Sequence, residues 1–157
     1  MIRKARIADA RKVQALIWEY AKKGDMLPRS LSSIYENLRD YFVYEDDNGE
    51  LIGSAAIHIV WEDLAEVRSL AVRESEMGKG VGTKLVEACI SEAIVLGVTR
   101  LFALTYRPKF FKRLGFNEID KSELPHKIWS DCLKCAKFPD CDEVALAADF
   151  SGSARVG

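Results

Sequence analysis

Residues 66–83 have the sequence EVRSLAVRESEMGKGVGT, and this stretch decides the fold. Its first seven residues have the apolar and β-branched character of a strand, and its last seven place glycines at positions 78, 80 and 82, where a helix begins. Glycine tolerates positive φ, so the main chain can form a concave nest there. Because the first amides of a helix lack intrahelical partners and carry partial positive charge, the stretch predicts an anion site, most naturally for a phosphate or pyrophosphate.

The composition is that of one globular domain, with 157 residues of which 48% are hydrophobic. We expect residues 1–150 to form this domain and residues 151–157 to be a disordered tail or an added remnant. The net charge of −1 gives no basic field, which argues against nucleic acid as a partner. No secretory signal and no run of about 18 apolar residues occurs, so we expect a cytoplasmic protein without membrane association. The oligomeric state stays open, a homodimer included.

The order of predicted elements is strand, two helices, three strands, helix, strand, helix, strand and a final strand. Period-two alternation and turn signals predict the strands at residues 2–7, 41–45, 51–61, 65–72, 99–105, 116–119 and 143–150. Helical spacing predicts a first helix with Asp9 as N-cap and Gly24 as C-cap, a second from Ser30 to Tyr41, a long one from Gly80 to Gly97, and a short one from Pro108 to Gly115. The result is an α/β (α+β) domain whose antiparallel middle does not suit a doubly wound sheet.

Two common nucleotide motifs do not fit the glycine stretch. A Walker loop needs Gly-x-x-x-x-Gly-Lys-Ser/Thr, and no such string occurs. A Rossmann fingerprint needs a third glycine or alanine three residues after Gly80, where this chain has Thr83.

The stretch instead resembles the pyrophosphate loop, Arg/Gln-x-x-Gly-x-Gly/Ala, of the acetyl-CoA-dependent N-acetyltransferases of the GNAT superfamily, with Gly80 and Gly82 at its two small-residue positions. The strand residues 69–72 and the later FKRLGF at 111–116 match the family too, and the element order agrees from residue 2 to 119. The resemblance implies the GNAT fold, a mixed and mostly antiparallel sheet of six to seven strands with splayed central strands. There are two departures: Met77 replaces the usual arginine or glutamine, and Phe111 replaces the tyrosine that often protonates the leaving thiolate.

A narrower resemblance is to the N-acetylglutamate synthase branch, which carries phenylalanine where other members have that tyrosine. It is carried by residues 27–30, 65–72, 100–105, 110–116 and 123–125. This implies acetyl transfer to the α-amine of L-glutamate, the first step of arginine biosynthesis, by a short form without the amino-acid-kinase domain of longer synthases. Two alternatives stay open: acetylation of another small amine or amino acid such as glutamine, and a non-catalytic CoA-binding regulatory module.

Acetyl transfer to an amine requires a base, a polarised thioester carbonyl and a proton for the departing thiolate. Glu66 is the predicted base, because strand periodicity puts it and Arg68 on one face, shared with Leu70 and Val72 if the strand has no bulge. The alternative for Glu66 is an ion pair across strands. Thr105 matches the hydroxyl position that serves as acid in the synthase branch, whereas Tyr106 has the better-matched pKa, about 10 for a phenol. Neighbours in a regular strand point to opposite faces, so we expect only one of the two to face the site, with Thr105 ranked first.

The co-substrate implied by the resemblance is acetyl-CoA, and free amides near Leu70 would hold its pantetheine arm and polarise the carbonyl, so we expect a bulge and a splayed strand there. The predicted CoA-binding residues are Leu70, Ala71, Val72, Met77, Gly78, Lys79, Gly80, Val81, Gly82, Thr83 and Phe111. Carboxylates of an acidic amino acid call for cationic side chains, arginine above all. The predicted substrate-binding residues are Arg29, Arg68, Arg107 and Lys127, of which Arg29 and Arg68 are favoured by their positions.

A cluster near the end, His126, Cys132, Cys135 and Cys141, has a composition that zinc accepts, but its spacing departs from common zinc motifs. Metal, a disulfide or redox role, and simple packing stay open, and we predict no metal. We also expect this segment, which carries Trp129, to fold over the mouth of the substrate site.

Overall fold

A computed structural model describes residues 1–125 and 143–150 of the chain. The described residues form seven strands and four α-helices in the order expected from the sequence. They are β1 (Ile2–Lys4), α1 (Ala10–Ala21), α2 (Leu31–Glu36), β2 (Tyr41–Glu45), β3 (Leu51–Trp61), β4 (Leu64–Val72), α3 (Val81–Leu96), β5 (Arg100–Thr105), α4 (Pro108–Arg113), β6 (Asn117–Glu118) and β7 (Val144–Asp149).

The strands make one sheet in the order β1-β2-β3-β4-β5-β7-β6. Every neighbouring pair is antiparallel except β4 and β5, which run parallel because the crossover through α3 brings the chain back to the same end of the sheet. The sheet is therefore mixed and mostly antiparallel, as predicted, and its single parallel pair lies at the centre.

Helices cover both faces of the sheet. On one face, α3 buries Leu85, Val86 and Cys89 against strand residues that include Ile57 and Val67. On the opposite face, α1 and α2 bury a second set of apolar side chains, including Val13, Ile17 and Ile34, against β2, β3 and β4. The central strands are thus held from both sides, which fixes the geometry of the site built on β4.

Local signals located α3 well, because glycine ends it at both termini. Gly80 (φ 84°) precedes its first residue and Gly97 (φ 85°) follows its last, and both adopt the left-handed conformation that glycine tolerates. The second helix starts near the predicted residue, and there the Ser30 hydroxyl caps α2 by accepting a 3.0 Å hydrogen bond from the Ser33 N–H. The second helix is shorter than predicted and ends at Glu36.

Asp9 occupies the predicted N-cap position of the first helix, but Gly24 is not its C-cap. Asp9 makes no side-chain cap to α1, because its carboxylate accepts two hydrogen bonds from the Arg3 guanidinium (2.7 and 3.0 Å) and one from the Arg6 N–H. The Arg3 guanidinium holds the pKa of Asp9 below its usual range. At the other end α1 finishes at Ala21, and Gly24 (φ 78°) lies in the turn that follows. The first strand is also shorter than predicted, since it ends at Lys4.

Candidate active site

A cleft opens where β4 and β5 separate. The two strands pair at Leu64, Ala65 and Glu66 of β4, and in the described residues no strand pairs with this edge of β4 beyond Glu66. The gap widens into a cavity of about 950 Å³ whose walls include Val67 to Leu70 on one side and Leu104 to Arg107 on the other. The predicted splaying of the central strands is confirmed, and it leaves one edge of β4 open to a bound molecule.

A bulge interrupts β4 at the same level. Ala71 pairs with Ser54 of β3 and Arg68 pairs with Ala56, so Ser69 and Leu70 together oppose a single β3 residue. Ser69 has φ 56°, a left-handed conformation that is uncommon outside glycine. The bulge near Leu70 is thus confirmed, and it overturns the face assignment made for a regular strand. Leu70 and Val72 pack toward the α3 core, whereas Ala71 faces the α1 core.

The glycine loop has the conformation expected for the anion site predicted from the sequence. Gly78 (φ 80°) and Gly80 (φ 84°) both adopt positive φ, and the first intrahelical bond of α3 runs from the Lys84 N–H to the Gly80 carbonyl. The amides of residues 81–83 therefore precede that ladder at the positive end of a 16-residue helix. Gly82 has another role, since a Cβ there would lie 3.4 Å from Phe110 Cζ.

Most of the predicted CoA-binding residues line the cavity: Leu70, Val72, Met77, Gly78, Gly80, Val81, Gly82, Thr83 and Phe111. Two predicted members do not line it. The bulge turns the Ala71 side chain into the α1 core, where it is 1% exposed, and the Lys79 ammonium lies 2.9 Å from a Glu76 carboxylate oxygen. The Lys79 side chain is thus engaged within the loop, whereas the loop's backbone amides lie beside the cavity.

The end of β5 supplies two hydroxyl groups to the cavity wall. Thr105 and Tyr106 both line it, because β5 ends at Thr105 and strand alternation no longer separates the next residue. Which of the two hydroxyls acts as the acid stays a prediction. The Thr105 Oγ1 accepts a 2.9 Å hydrogen bond from the Arg107 N–H, so the hydroxyl hydrogen remains available for donation.

The predicted base, Glu66, lies on β4 just before the strands separate. One of its carboxylate oxygens is 3.2 Å from an Arg68 guanidinium nitrogen, and both side chains are mostly shielded from solvent. Across the β3–β4 hairpin, Glu66 is paired in register with His58, whose Nδ1 lies 3.0 Å from an Asp40 carboxylate oxygen. The pairing places an Asp–His pair on the sheet face that carries Glu66.

The sequence patterns of the single strands do not indicate that His58 and Asp40 lie near Glu66, because that proximity arises from strand pairing. The signal was present: positions 57, 58 and 59 pair with 67, 66 and 65, symmetrically about the turn at residue 62. Folding the predicted hairpin at that turn would have placed His58 opposite Glu66.

Two of the predicted substrate-binding arginines converge, and a third lies elsewhere. The positive charges of Arg29 and Arg68 both act on the buried phenol of Tyr41, which also hydrogen-bonds the Ser69 side chain. Burial raises the pKa of Tyr41, and those cations and that hydrogen bond oppose the rise. By contrast, the charge of Arg107 acts on Tyr20, and both of these residues line the cavity, as Arg68 also does.

The remaining predictions concern residues that the structure does not describe. Lys127, the fourth predicted cation, and the cluster of His126, Cys132, Cys135 and Cys141 lie outside the described residues, as does Trp129. Within residues 1–125 and 143–150, no group of three or more His, Cys, Asp or Glu side chains is arranged to hold a metal ion. No helix in this described part has the length and apolar character needed to cross a membrane.

Comparison with known proteins adds to this geometry. Residues 9–116 match the acetyltransferase (GNAT) family. The chain is 45% identical over 145 residues to an uncharacterised N-acetyltransferase from Chlorobaculum tepidum, covering 92% of this chain and 93% of the relative. It is 32% identical over 136 residues to an amino-acid acetyltransferase from Mycobacterium tuberculosis, covering 85% of this chain and 78% of that protein.

Solved structures resemble the fold over nearly the whole chain. A Mycobacterium tuberculosis protein crystallised with CoA and NLQ is 27% identical and superposes with a TM-score of 0.81, covering 95% of this chain and 98% of that one. The N-acetylglutamate synthase of Neisseria gonorrhoeae in complex with CoA and N-acetyl-glutamate is also 27% identical, with a TM-score of 0.87 over 97% of this chain and 35% of the synthase. With the splayed strands and the glycine nest, these matches show that the chain belongs to the GNAT acetyltransferase family, with acetyl-CoA as its co-substrate.

Proposed function

We propose that this N-acetyltransferase transfers the acetyl group of acetyl-CoA to the α-amine of an amino acid, L-glutamate, and so performs the first step of arginine biosynthesis. Relatives named amino-acid acetyltransferase and N-acetylglutamate synthase support the choice of an amino acid. The observation that carries it within this chain is that the charges of Arg29 and Arg68 both act on Tyr41, and that Arg68 is paired with the candidate base Glu66 on β4. Guanidinium groups bind carboxylates through paired, charge-assisted hydrogen bonds, and glutamate has two carboxylates.

The residues of the cleft fit acetyl-CoA. The nest around Gly78 and Gly80 and the first amides of α3 suit a pyrophosphate, and the open edge of β4 offers amides to an extended arm. When bound, the co-substrate supplies the activated acetyl group. The chain holds it beside the β4 bulge, so that the acceptor amine is positioned between the open strand edge and Glu66.

Each proton has a candidate residue in this arrangement. Glu66 takes the proton of the acceptor ammonium, directly or through a water, while Arg68 holds the carboxylate in place. The amides of β4 near Leu70 bind the carbonyl oxygen as its negative charge grows. Thr105 gives its hydroxyl proton to the departing sulfur while its oxygen accepts from the Arg107 N–H, and it regains a proton through solvent as the nitrogen loses its second proton and becomes an amide. Tyr106, in the same wall, is the alternative donor.

A substrate panel tests the proposed acceptor. Thiol release from acetyl-CoA is measured with glutamate, glutamine, aspartate and a simple amine, and products are identified by mass spectrometry. Selective turnover with glutamate supports the proposal, and restored growth of an arginine auxotroph lacking its synthase would support the pathway. Turnover with another amine only, or CoA binding without turnover for any acceptor, contradicts it.

Variants test the individual roles. We expect Arg29→Ala to raise the KM for glutamate about tenfold or more, in line with the roughly 2 kcal/mol of a hydrogen bond to a charged group, while Arg11→Ala on the exposed face of α1 leaves it unchanged. Glu66→Gln and Thr105→Val should each lower kcat/KM by a factor of roughly 100. Undiminished kcat/KM in either variant removes that residue from the scheme, and a loss confined to Tyr106→Phe would move the acid to Tyr106.

A further inference from the structure

The glycine loop has methionine at the position where the resemblance implies arginine or glutamine. Met77 stands there, 39% exposed, with its sulfur 3.5 Å from the Tyr20 hydroxyl. The neighbouring Lys79 is engaged by Glu76 at 2.9 Å. Glu74 and Asp25 also lie at this end of the cleft, near enough for their charges to act on Tyr20. A multivalent phosphate anion therefore meets both these carboxylates and the Lys23 ammonium, which lies 6.0 Å from the centre of the Tyr20 ring, and a further positive charge would strengthen its binding.

Arg107 is placed to supply that charge from the opposite wall. It lines the main cavity together with Met77 and Gly78, and it also lines an adjoining cavity of about 620 Å³ that includes Met77 and Tyr20. Four cationic residues among those described line the main cavity: Arg68, Arg107, Lys109 and Arg113. Of these four, only Arg107 also lines the adjoining cavity. Its charge acts on Tyr20, whose hydroxyl contacts Met77 and donates to the Val72 carbonyl.

The local backbone explains how an exposed arginine can serve a fixed site. The Arg107 N–H is bound to Thr105 Oγ1, and Pro108 begins α4 directly after it, so the main chain at this position is held on both sides. The side chain extends from this anchored point toward the rim shared by the two cavities. Arginine suits the task because its guanidinium can bind two phosphate oxygens at once.

We propose that Arg107 binds the phosphates of CoA and supplies the side-chain contact that Met77 does not. This assigns Arg107 to the co-substrate and not to the amino acid, for which the sequence had made it one of four candidates. The assignment agrees with the separation of two clusters: Arg107 with Tyr20 and Met77, and Arg29 with Arg68 and Tyr41. It rests on acetyl-CoA as co-substrate and does not depend on glutamate as acceptor.

The test measures binding of CoA without any acceptor, by isothermal titration calorimetry. Arg107→Ala should raise the Kd of CoA by at least tenfold, and the effect should shrink as salt is added. The same variant should leave the binding of pantetheine, which has no phosphate, within about twofold. The sharpest arm is the double variant Met77→Arg with Arg107→Ala, in which a cation returned to the loop should recover most of the lost affinity. Arg11→Ala is the matched surface control, and circular dichroism confirms folding.

Other results overturn the proposal. An unchanged Kd for CoA together with a raised KM for the amino acid would return Arg107 to the acceptor side. An equal loss for CoA and pantetheine, or a double variant no tighter than Arg107→Ala alone, would show that Arg107 only shapes the cleft. A larger loss in Arg113→Ala or Lys109→Ala than in Arg107→Ala would move the role to α4. Because the binding measurements contain no acceptor, they can be interpreted even if glutamate is not the substrate.

Discussion

Replacing Ser69 by valine is expected to disrupt both the stability of the protein and its acetyltransferase activity. Ser69 adopts φ 56° within the β4 bulge and its side chain hydrogen-bonds the Tyr41 phenol. Valine is β-branched, so the left-handed conformation is strained for it, and it offers no hydrogen bond. The substitution therefore acts on the two features that hold the bulge.

The expected loss follows from these two contributions. The left-handed conformation costs an L-residue roughly 1–2 kcal/mol, which serine already bears, and we expect branching at Cβ to add about 1 kcal/mol. Tyr41 is 2% exposed, so its hydroxyl loses a partner in a place with little access to water, which costs about 1–3 kcal/mol. The total is about 2–4 kcal/mol. At 2–4 °C per kcal/mol for a chain of this size, Tm should fall by roughly 4–16 °C.

Thermal unfolding and steady-state kinetics measured together test this reasoning. Ser69→Ala keeps an unbranched side chain and should lose only the hydrogen bond, and Tyr41→Phe removes the same bond from the other side. The double variant Ser69→Ala with Tyr41→Phe should then be less destabilised than the sum of the two single changes. We expect kcat/KM of Ser69→Val to fall at least tenfold, since a lost bulge would reverse the faces of Leu70 and Arg68 relative to each other. A valine variant that melts within about 2 °C of the parent would refute the argument.

Three further predictions concern the core and the ion pairs. Gly53→Ala should lower the free energy of unfolding by about 1–3 kcal/mol in urea titrations, because its new Cβ would lie 2.9 Å from two side chains of α3; an unchanged midpoint would contradict the packing. The Arg3 guanidinium lowers the pKa of Asp9, so the stabilisation is present above the ordinary aspartate pKa of about 4 and is lost as pH falls through the lower folded value; Asp9→Asn should flatten this acid dependence. Burial raises the pKa of Cys89 to about 12, so peptide mapping after iodoacetamide treatment should find this thiol unmodified in the folded protein and modified in urea.

Features set by neighbouring residues were predictable from the sequence. The bounds of β2 and β3 agree with the prediction, because a hairpin signal at residues 46–49 and apolar alternation fix them locally. The glycine nest was predictable for the same reason, since positive φ at Gly78 and Gly80 is a property of the residue type. The predictions of the fold and of the co-substrate site both depend on such local sequence signals.

Features set by distant contacts were not predictable in the same way. The Asp9 carboxylate had the right position for a helix cap, but Arg3 competes for it with a paired hydrogen bond. The resemblance led us to expect the bulge, yet no residue in the sequence marks Ser69 as the one with positive φ, because serine has no preference for it. The Asp40–His58 pair depends on the register of the β3–β4 hairpin and on the turn that precedes β2, the strand next to β3.

The two ends of β4 face the cleft through different kinds of groups, and this division predicts which substitutions change which substrate. Beyond the bulge, the open strand edge and the first amides of α3 present backbone groups, and we propose that these bind acetyl-CoA together with the Arg107 side chain. Before the bulge, Glu66 and Arg68 form an ion pair, and we propose that these two side chains act on the acceptor. Exchanging Arg68 can therefore alter acceptor choice while CoA still binds, whereas a β-branched residue at Gly80 must strain the nest whatever the acceptor. Ser69 lies between these two ends, so a change there reaches both.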